Sequence, residues 1–295
     1  MKNFCNYFSG VLNGTFLSLL LTTCAAFTAC NNELEDIRIP GDKLSITASL
    51  NEAESRAIIE GTSFAENSSV GLTLDGYSFN NIKYTATGTG VSQTWSGSDM
   101  LLSEKTGTLY AYYPYSSTAN DITAVPLATA SQTDYMYATP VSSISENNSV
   151  AALKFNHAMA VIRLTIKKGT YAAGSGNITS VSVKSDGLGT TGTLNAKTGA
   201  VTATNTNTAV TQTVSKTLGA TVDAIVVPAG TSKTITFSVT VDGTTYTATS
   251  AAVALNKNNI YTYTVTLNST FMEVSGVSIG AWTTTAKETN LILSK

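Results

Sequence analysis

The sequence is poor in the residue types from which active sites and charged binding surfaces are usually built. Only 12% of its 295 residues are charged, and 17 basic residues stand against 19 acidic ones. This balance excludes a polybasic nucleic-acid-binding protein and a highly charged disordered chain. Hydrophobic residues make up 42% of the chain, which is enough to build a sizeable core. The length indicates one or two domains.

Residues for acid–base or metal chemistry are equally scarce. His157 is the only histidine, which excludes a histidine metal cluster, and we expect it to be structural and bonded to the backbone. Asp75, Asp186 and Asp242 each precede a glycine, and Asp-Gly pairs are typical of hairpin turns. A glycosidase would need two carboxylates facing each other across a cleft, and the sequence leaves that open. Neither a cofactor nor a metal is indicated.

Cysteine occurs only 3 times, and its placement is informative. Residues 1–29 form an apolar segment with one charge, which predicts a signal peptide. The segment ends in Phe27-Thr28-Ala29-Cys30, which resembles the lipobox of bacterial lipoproteins. That resemblance implies cleavage before Cys30 and attachment of lipid to it. Cys24 is a rival acceptor, and a plain secretory signal or an uncleaved anchor are the alternatives.

Loss of the signal peptide leaves the mature chain without cysteine chemistry. Cys5 and Cys24 lie within the segment that would be removed, and the resemblance implies that Cys30 carries the lipid. The mature chain therefore has no disulfide and no thiol nucleophile. The polar residues 30–43 that follow include a Pro-Gly turn and predict a lipid-anchored tether.

The stretch 44–57, LSITASLNEAESRA, combines a strand pattern with one of only three arginines. Its apolar side chains alternate with serine and threonine, which predicts a half-buried strand; they are Leu44, Ile46, Ala48 and Leu50. A cut after Arg56 would remove this strand and leave an apolar groove with unpaired backbone, which is a ready acceptor for a strand of another molecule. The alternative is an ordinary first strand followed by a solvated arginine.

Short strands separated by turn residues continue to the end of the chain, and no segment keeps a strong helical period. The pattern predicts an all-β protein with two tandem β-sandwich domains of about seven strands each. We place the domain boundary in the loop-like residues 142–149. The N-terminal domain then covers 44–147 and the C-terminal domain 148–295.

Several segments together resemble the fimbrillins of Bacteroidetes, the subunits of type V pili. They are YAYYPY, LKFNHAMAVIRLTI, LNKNNIYTYTVTL and IGAWTTT, joined by the lipobox and by ITASL…SRA. The resemblance implies two transthyretin-like β-sandwich domains. It also implies export to the outer membrane as a lipoprotein, cleavage by an Arg-specific protease and polymerisation by donor-strand exchange.

Carried over to this sequence, the resemblance makes Cys30 the lipid site, Arg56–Ala57 the cleaved bond and 44–50 the removable strand. A cut at Arg38 would leave that strand in place, and a cut at Arg163 would break a strand of the second domain.

The tail, 274–295, would supply the donor strand to a neighbouring copy or a related subunit. Two sets of alternating apolar residues are candidates: Val277, Ile279 and Ala281, or Leu291 and Leu293. The alternative is a tail that only completes its own domain.

Three hypotheses of different classes follow from these observations. The first is a structural pilin on the cell surface that mediates adhesion as part of a fimbrium, without enzymatic activity. The second is a non-polymerising surface lipoprotein of the same fold, either a pilus anchor or a tip adhesin that binds glycan or host protein. The third is an enzyme, which would require a carboxylate pair in a groove.

Overall fold

A computed structural model describes residues 42–50, 64–90 and 93–282, and within these ranges the regular structure consists of strands without any helix. The all-β prediction is therefore confirmed. The strands, numbered in chain order, are β1 (Ser45–Leu50), β2 (Ser69–Asp75), β3 (Phe79–Thr87), β4 (Thr94–Gly97), β5 (Gly107–Tyr113), β6 (Val125–Ala128), β7 (Met136–Ala138), β8 (Val141–Ile144), β9 (Val150–His157), β10 (Ala160–Lys168), β11 (Asn177–Lys184), β12 (Leu188–Asn195), β13 (Ala200–Thr206), β14 (Val210–Thr217), β15 (Thr221–Pro228), β16 (Ser232–Lys233), β17 (Thr236–Val241), β18 (Thr244–Thr249), β19 (Val253–Ala254), β20 (Asn259–Leu267), β21 (Met272–Val274) and β22 (Ser278–Ala281).

The first sheet has the order β1-β9-β7-β5-β2-β3-β4, with β8 paired to β5. Most of its pairs are antiparallel, but β1 runs parallel to β9, with Ser45 opposite Val150 and Leu50 opposite Phe155. Parallel partners require a long connection. The first described strand thus pairs with a strand that begins 105 residues later.

Two further sheets form the second half of the structure. One has the order β13-β12-β15-β10-β20-β21, with β6 on β12 and β22 on β20, and the other has the order β14-β11-β17-β18. The short strands β16 and β19 form a separate pair. The described strands outnumber the predicted two sets of about seven, because some extended segments are divided into two shorter strands. For example, β21 and β22 both pair with β20 and are separated by residues 275–277.

Buried hydrophobic side chains form three clusters. The first core lies on one face of the first sheet and includes Ile46, Leu72 and Phe155. The second core lies between the β10-containing sheet and the β11-containing sheet. The junction core, which includes Tyr112 from the first sheet and Val161 and Trp282 from the second half, fills the space between the halves. Burial of these side chains is the main favourable contribution to folding.

Strand pairing crosses the predicted boundary between domains. The strand β6, from the first half of the sequence, pairs with β12, and β9, which follows the boundary, pairs with β1 and β7 in the first sheet. The division into two tandem domains remains a prediction.

Threonine-rich strands explain how the chain forms stable sheets with so few charges. Exposed threonine hydroxyls lie within hydrogen-bonding distance of each other across neighbouring strands, at 2.8 Å for Thr191 and Thr204 and 2.9 Å for Thr240 and Thr245. β-Branched side chains favour the extended backbone, and such cross-strand pairs add to sheet stability.

The Asp-Gly turn predictions have mixed outcomes. Asp242 and Gly243 both have positive φ, at 46° and 82°, and connect the antiparallel strands β17 and β18, as a type I′ turn requires. Asp75 and Gly76 lie in the β2–β3 hairpin. The hairpin predicted at Asp186-Gly187 is wrong, because β11 and β12 belong to different sheets and this pair only carries the chain between them.

Candidate functional site

The strand β1 buries the apolar row that its alternation predicts. Leu44 and Ile46 are 5% and 4% exposed, and Ala48 and Leu50 are half-buried against the first core. Thr47 and the two neighbouring serines face solvent. One face of the strand is therefore part of the core, while the other contributes nothing to it.

The backbone of β1 is held mainly by one neighbour. Six of its residues are in register with β9, and the Ser45 amide donates to the carbonyl of Ser149 at 2.8 Å. On the other side only the entrance to the strand is tied down, where the Leu44 amide donates to Met100 and the Leu102 amide donates to Asp42, each at 3.0 Å. In the described part of the chain, β1 is thus an end strand of its sheet.

Aromatic side chains lie in the core that β1 helps to cover. The Phe64 ring lies 5.1 Å from the Phe155 ring and 5.4 Å from the Trp95 ring, centroid to centroid, both in edge-on geometry. On β9, Ala151 and Leu153 are opposite Ile46 and Ala48 and are almost fully buried. Removal of β1 would therefore uncover an apolar surface beside the unpaired edge of β9.

Several predicted site residues lie outside the described residues, and their roles remain predictions. They are the lipid acceptor Cys30, the cleavage residues Arg56 and Ala57, and the second donor set Leu291 and Leu293.

Arg163, the one arginine among the described residues, lies in the middle of a sheet. Its strand β10 pairs with β15 on one side and β20 on the other. Its guanidinium makes two hydrogen bonds to the Asp223 carboxylate directly opposite, at 2.9 and 2.8 Å. Proteases bind their substrates as extended, accessible segments, so the folded chain protects this arginine from cleavage.

The first donor set lies on β22 and at the residue just before it, and it is largely exposed. This strand pairs antiparallel with β20, with Ile279 opposite Tyr261. Val277 is 36% exposed, Ile279 is 53% exposed and Ala281 is also exposed. The structure therefore places these side chains at a sheet edge, where they contribute little to the core of their own subunit.

Directly after β22 the structure shows a cluster that the sequence did not predict. The Trp282 side chain is 4% exposed and stacks on the His157 imidazole with a centroid distance of 4.3 Å and parallel planes. The Nδ1 atom of His157 lies 2.7 Å from Oδ2 of Asp134. The predicted backbone partner of His157 is thus replaced by a carboxylate. In the sequence, only the scarcity of histidine and tryptophan distinguishes these positions. The two residues are far apart along the chain, so no local pattern predicts that their rings are in contact.

The aromatic run at the end of β5 is mostly structural. Tyr112 and Tyr113 are buried, and burial raises the pKa of both hydroxyls. The Tyr112 hydroxyl donates to Asn81 Oδ1 at 2.7 Å and accepts from the Ser116 amide at 3.1 Å. Tyr110 is half-buried beneath the Lys197 ammonium. These contacts use the rings within the fold.

Hydrogen bonds to the Asp242 carboxylate stabilise a turn. The Asp242 carboxylate accepts from the Tyr171 hydroxyl at 2.7 Å, the Gly176 amide at 2.7 Å and the Asn177 amide at 3.0 Å. The bond from Tyr171, followed by those from the amides, lowers the pKa of Asp242 to about 2. The same bond raises the pKa of Tyr171 to about 12. This arrangement fixes a loop and presents no free reactive group.

Within the described residues no group of three or more histidine, cysteine, aspartate or glutamate side chains is arranged to hold a metal ion. The letters GVSIG at 276–280 match the G-x-S-x-G pattern, but Ser278 begins the strand β22 and does not lie at the strand-to-helix turn that this motif requires. No helix in the described ranges has the length and apolar character needed to cross a membrane.

The sequence from 41 to 282 matches a family model described as fimbrillin-like. Similar solved structures include candidate cell adhesion proteins from three organisms. The Bacteroides ovatus protein is 20% identical, with 82% of this chain and 98% of that chain covered and a TM-score of 0.65. The Bacteroides uniformis protein is 23% identical, with coverage of 82% and 99% and a TM-score of 0.62. The Parabacteroides distasonis protein is 13% identical, with coverage of 82% and 98% and a TM-score of 0.56. These likenesses show the fold. No curated protein sequence matches the chain.

Proposed function

This chain belongs to the fimbrillin-like family, and on that premise we propose that it is a pilus subunit that assembles by strand exchange. It is exported as a lipoprotein through Cys30, cut after Arg56, and polymerised with other pilin subunits into fimbriae on the cell surface. Its role is structural and adhesive rather than enzymatic, and it requires no cofactor.

The arrangement of β1 carries this proposal. The strand and the residue before it contribute Ile46 and Leu44 to the first core, but among the described strands β1 pairs only with β9. A segment of this kind is removable without breaking the rest of the sheet, and its loss leaves an apolar groove beside the free edge of β9. An extended strand from another subunit would restore both the backbone hydrogen bonds and the buried side chains.

The positions of the arginines support Arg56 as the cleavage site. Arg163 is protected within the sheet by neighbours on both sides. A cut after Arg38 would leave β1 attached to the rest of the chain. Arg56 is the one arginine that follows β1 and precedes Phe64, where the described core resumes.

The tail supports the donor half of the exchange. Ile279 on β22 and Val277 just before it are exposed, so transfer into an apolar groove would bury surface that now faces water. Full burial of an aliphatic side chain contributes about 1.5–3 kcal/mol. The set Leu291 and Leu293 is the second candidate donor. In either case the donor would take the place of the row formed by Leu44, Ile46, Ala48 and Leu50.

The proposal is tested by the N-terminus and the oligomeric state of the protein isolated from the surface of a producing cell. We expect a chain that begins at Ala57 and runs as a heat-labile ladder on a gel. An Arg56→Ala variant should keep an acylated Cys30 and run as a single band. The matched Arg38→Ala variant should behave as the wild type.

A wild-type chain that begins at acylated Cys30 and runs as one band would overturn the stalk-subunit proposal. It would favour the second hypothesis, in which the protein is a pilus anchor or another non-polymerising surface lipoprotein.

A further inference from the structure

The strand β22 has exposed side chains, whereas the residue that directly follows it is buried. All four of its residues are exposed, and the preceding Val277 is exposed as well. Trp282, the next residue, is 4% exposed and belongs to the junction core. Among the strands that the structure describes, β22 pairs only with β20, at the edge of the sheet.

The site that receives Trp282 is made by residues from the first half of the fold. His157 ends β9, and Asp134 lies just before β7, so two paired strands hold the imidazole and the carboxylate together. Both side chains are buried, at 5% and 7% exposed. The hydrogen bond from the ring to Asp134 fixes the plane of the imidazole, against which the indole lies flat.

We propose that Trp282, stacked on His157, is the latch that keeps β22, the last described strand, folded on its own subunit until it is donated. This inference rests on the proposed function, because it concerns the release of the candidate donor strand. It assigns to the His157–Asp134 pair a role as the receiving site for the latch.

The physical basis is the contrast between the two kinds of contact. A four-residue edge strand without buried side chains opens easily, because its hydrogen bonds exchange with water at low cost. A buried indole provides far more contact area than any residue of β22. The amide of Trp282 also donates to the carbonyl of Asn258 at 2.9 Å, at the turn that leads into β20. The strand is therefore held chiefly at its C-terminal end.

Hydrogen exchange of the intact chain, followed by mass spectrometry on peptides that cover residues 277–282, tests the latch. In Trp282→Ala we expect exchange in these peptides to be about 100-fold faster, equivalent to about 2.8 kcal/mol of opening free energy at 1.4 kcal/mol per tenfold change. Exchange in β10 should stay unchanged. The matched control is Ile279→Ala on the exposed face of β22, which should change exchange by less than about twofold.

Trp282→Phe is a milder variant that still tests the latch if Trp282→Ala unfolds as a whole. The smaller ring still fills part of the site, and we expect exchange in 277–282 to be about tenfold faster, with β10 unaffected. Exchange in 277–282 that matches the wild type in both variants would overturn the latch. An increase spread equally over β10 and β22 would also overturn it, because Trp282 would then be an ordinary core residue.

An assembly assay on the chain cut after Arg56 distinguishes failure of this inference from failure of the proposed function. If the latch is correct and β22 is the donor, Trp282→Ala should form multimers faster than the wild type. Faster exchange without faster assembly would support the latch and contradict donation by β22. Unchanged exchange would refute the latch whatever the assembly rate.

Discussion

Replacement of Ile46 by alanine should destabilise the folded chain by about 2–4 kcal/mol. The side chain is 4% exposed and packs in the first core, opposite the fully buried Ala151 of β9. Truncation of a buried isoleucine removes its transfer free energy and leaves a cavity. The lower part of the usual range applies because β1 is an end strand and has more freedom to relax than a central strand.

The matched control is Thr47→Ala, the neighbouring residue on the exposed face of the same strand. We expect its effect to lie within about 0.5 kcal/mol. Unfolding in urea, followed by tryptophan fluorescence, measures both variants; Trp95 in the same core contributes to the signal together with Trp282. Thermal unfolding offers a second measure, because a domain of this size loses about 2–4 °C for each kcal/mol. For Ile46→Ala the midpoint should fall by between about 4 and 16 °C.

Equal stability of the two variants would refute the reasoning. It would mean that the inward row of β1 does not hold the first core together, so that its removal would open no apolar groove. The support for β1 as a removable core strand would then be lost, irrespective of where the chain is cut.

Three further predictions test other parts of the structure. The pKa of Asp242 is lowered from its ordinary value of 3.8 to about 2, so its ionised form stabilises the fold above about pH 4 and this contribution disappears as the pH falls through about 2. The thermal midpoint of Asp242→Asn should therefore be lower at pH 7 and change less between pH 4 and pH 2 than that of the wild type; parallel curves would contradict this. Tyr112→Phe removes a hydroxyl that donates to Asn81 Oδ1 and accepts from the Ser116 amide, and it should lower the free energy of unfolding in urea by about 1–2 kcal/mol, whereas an unchanged midpoint would show that these bonds are not stabilising. Gly199 has φ of 70°, and an added Cβ would overlap the Tyr137 ring, so Gly199→Ala should cost more than about 1 kcal/mol in the same assay; a neutral effect would show that the β12–β13 turn moves freely.

One part of the candidate site could be predicted from the sequence, and another could not. Alternation identified the inward row of β1, because the side-chain period of a strand is a local property of the backbone. The site in which Trp282 lies was out of reach, because its parts come from β9, the segment before β7 and the residue after β22. No local pattern links residues that meet only when separate strands pack. Cys30, Arg56 and the second donor set remain predictions.

The sequence by itself determined the class of the fold and the inner face of many strands. Threonine-rich alternation without helical periodicity allowed only sheets, and the Asp242-Gly243 pair determined a turn whose geometry glycine tolerates. The tertiary structure alone decided which strands are neighbours: β1 beside β9, β6 beside β12, and a sheet change at Asp186-Gly187 where a hairpin was expected. The physical reason is that a strand's face follows from local backbone geometry, whereas its partner follows from burial shared with segments far away in the chain.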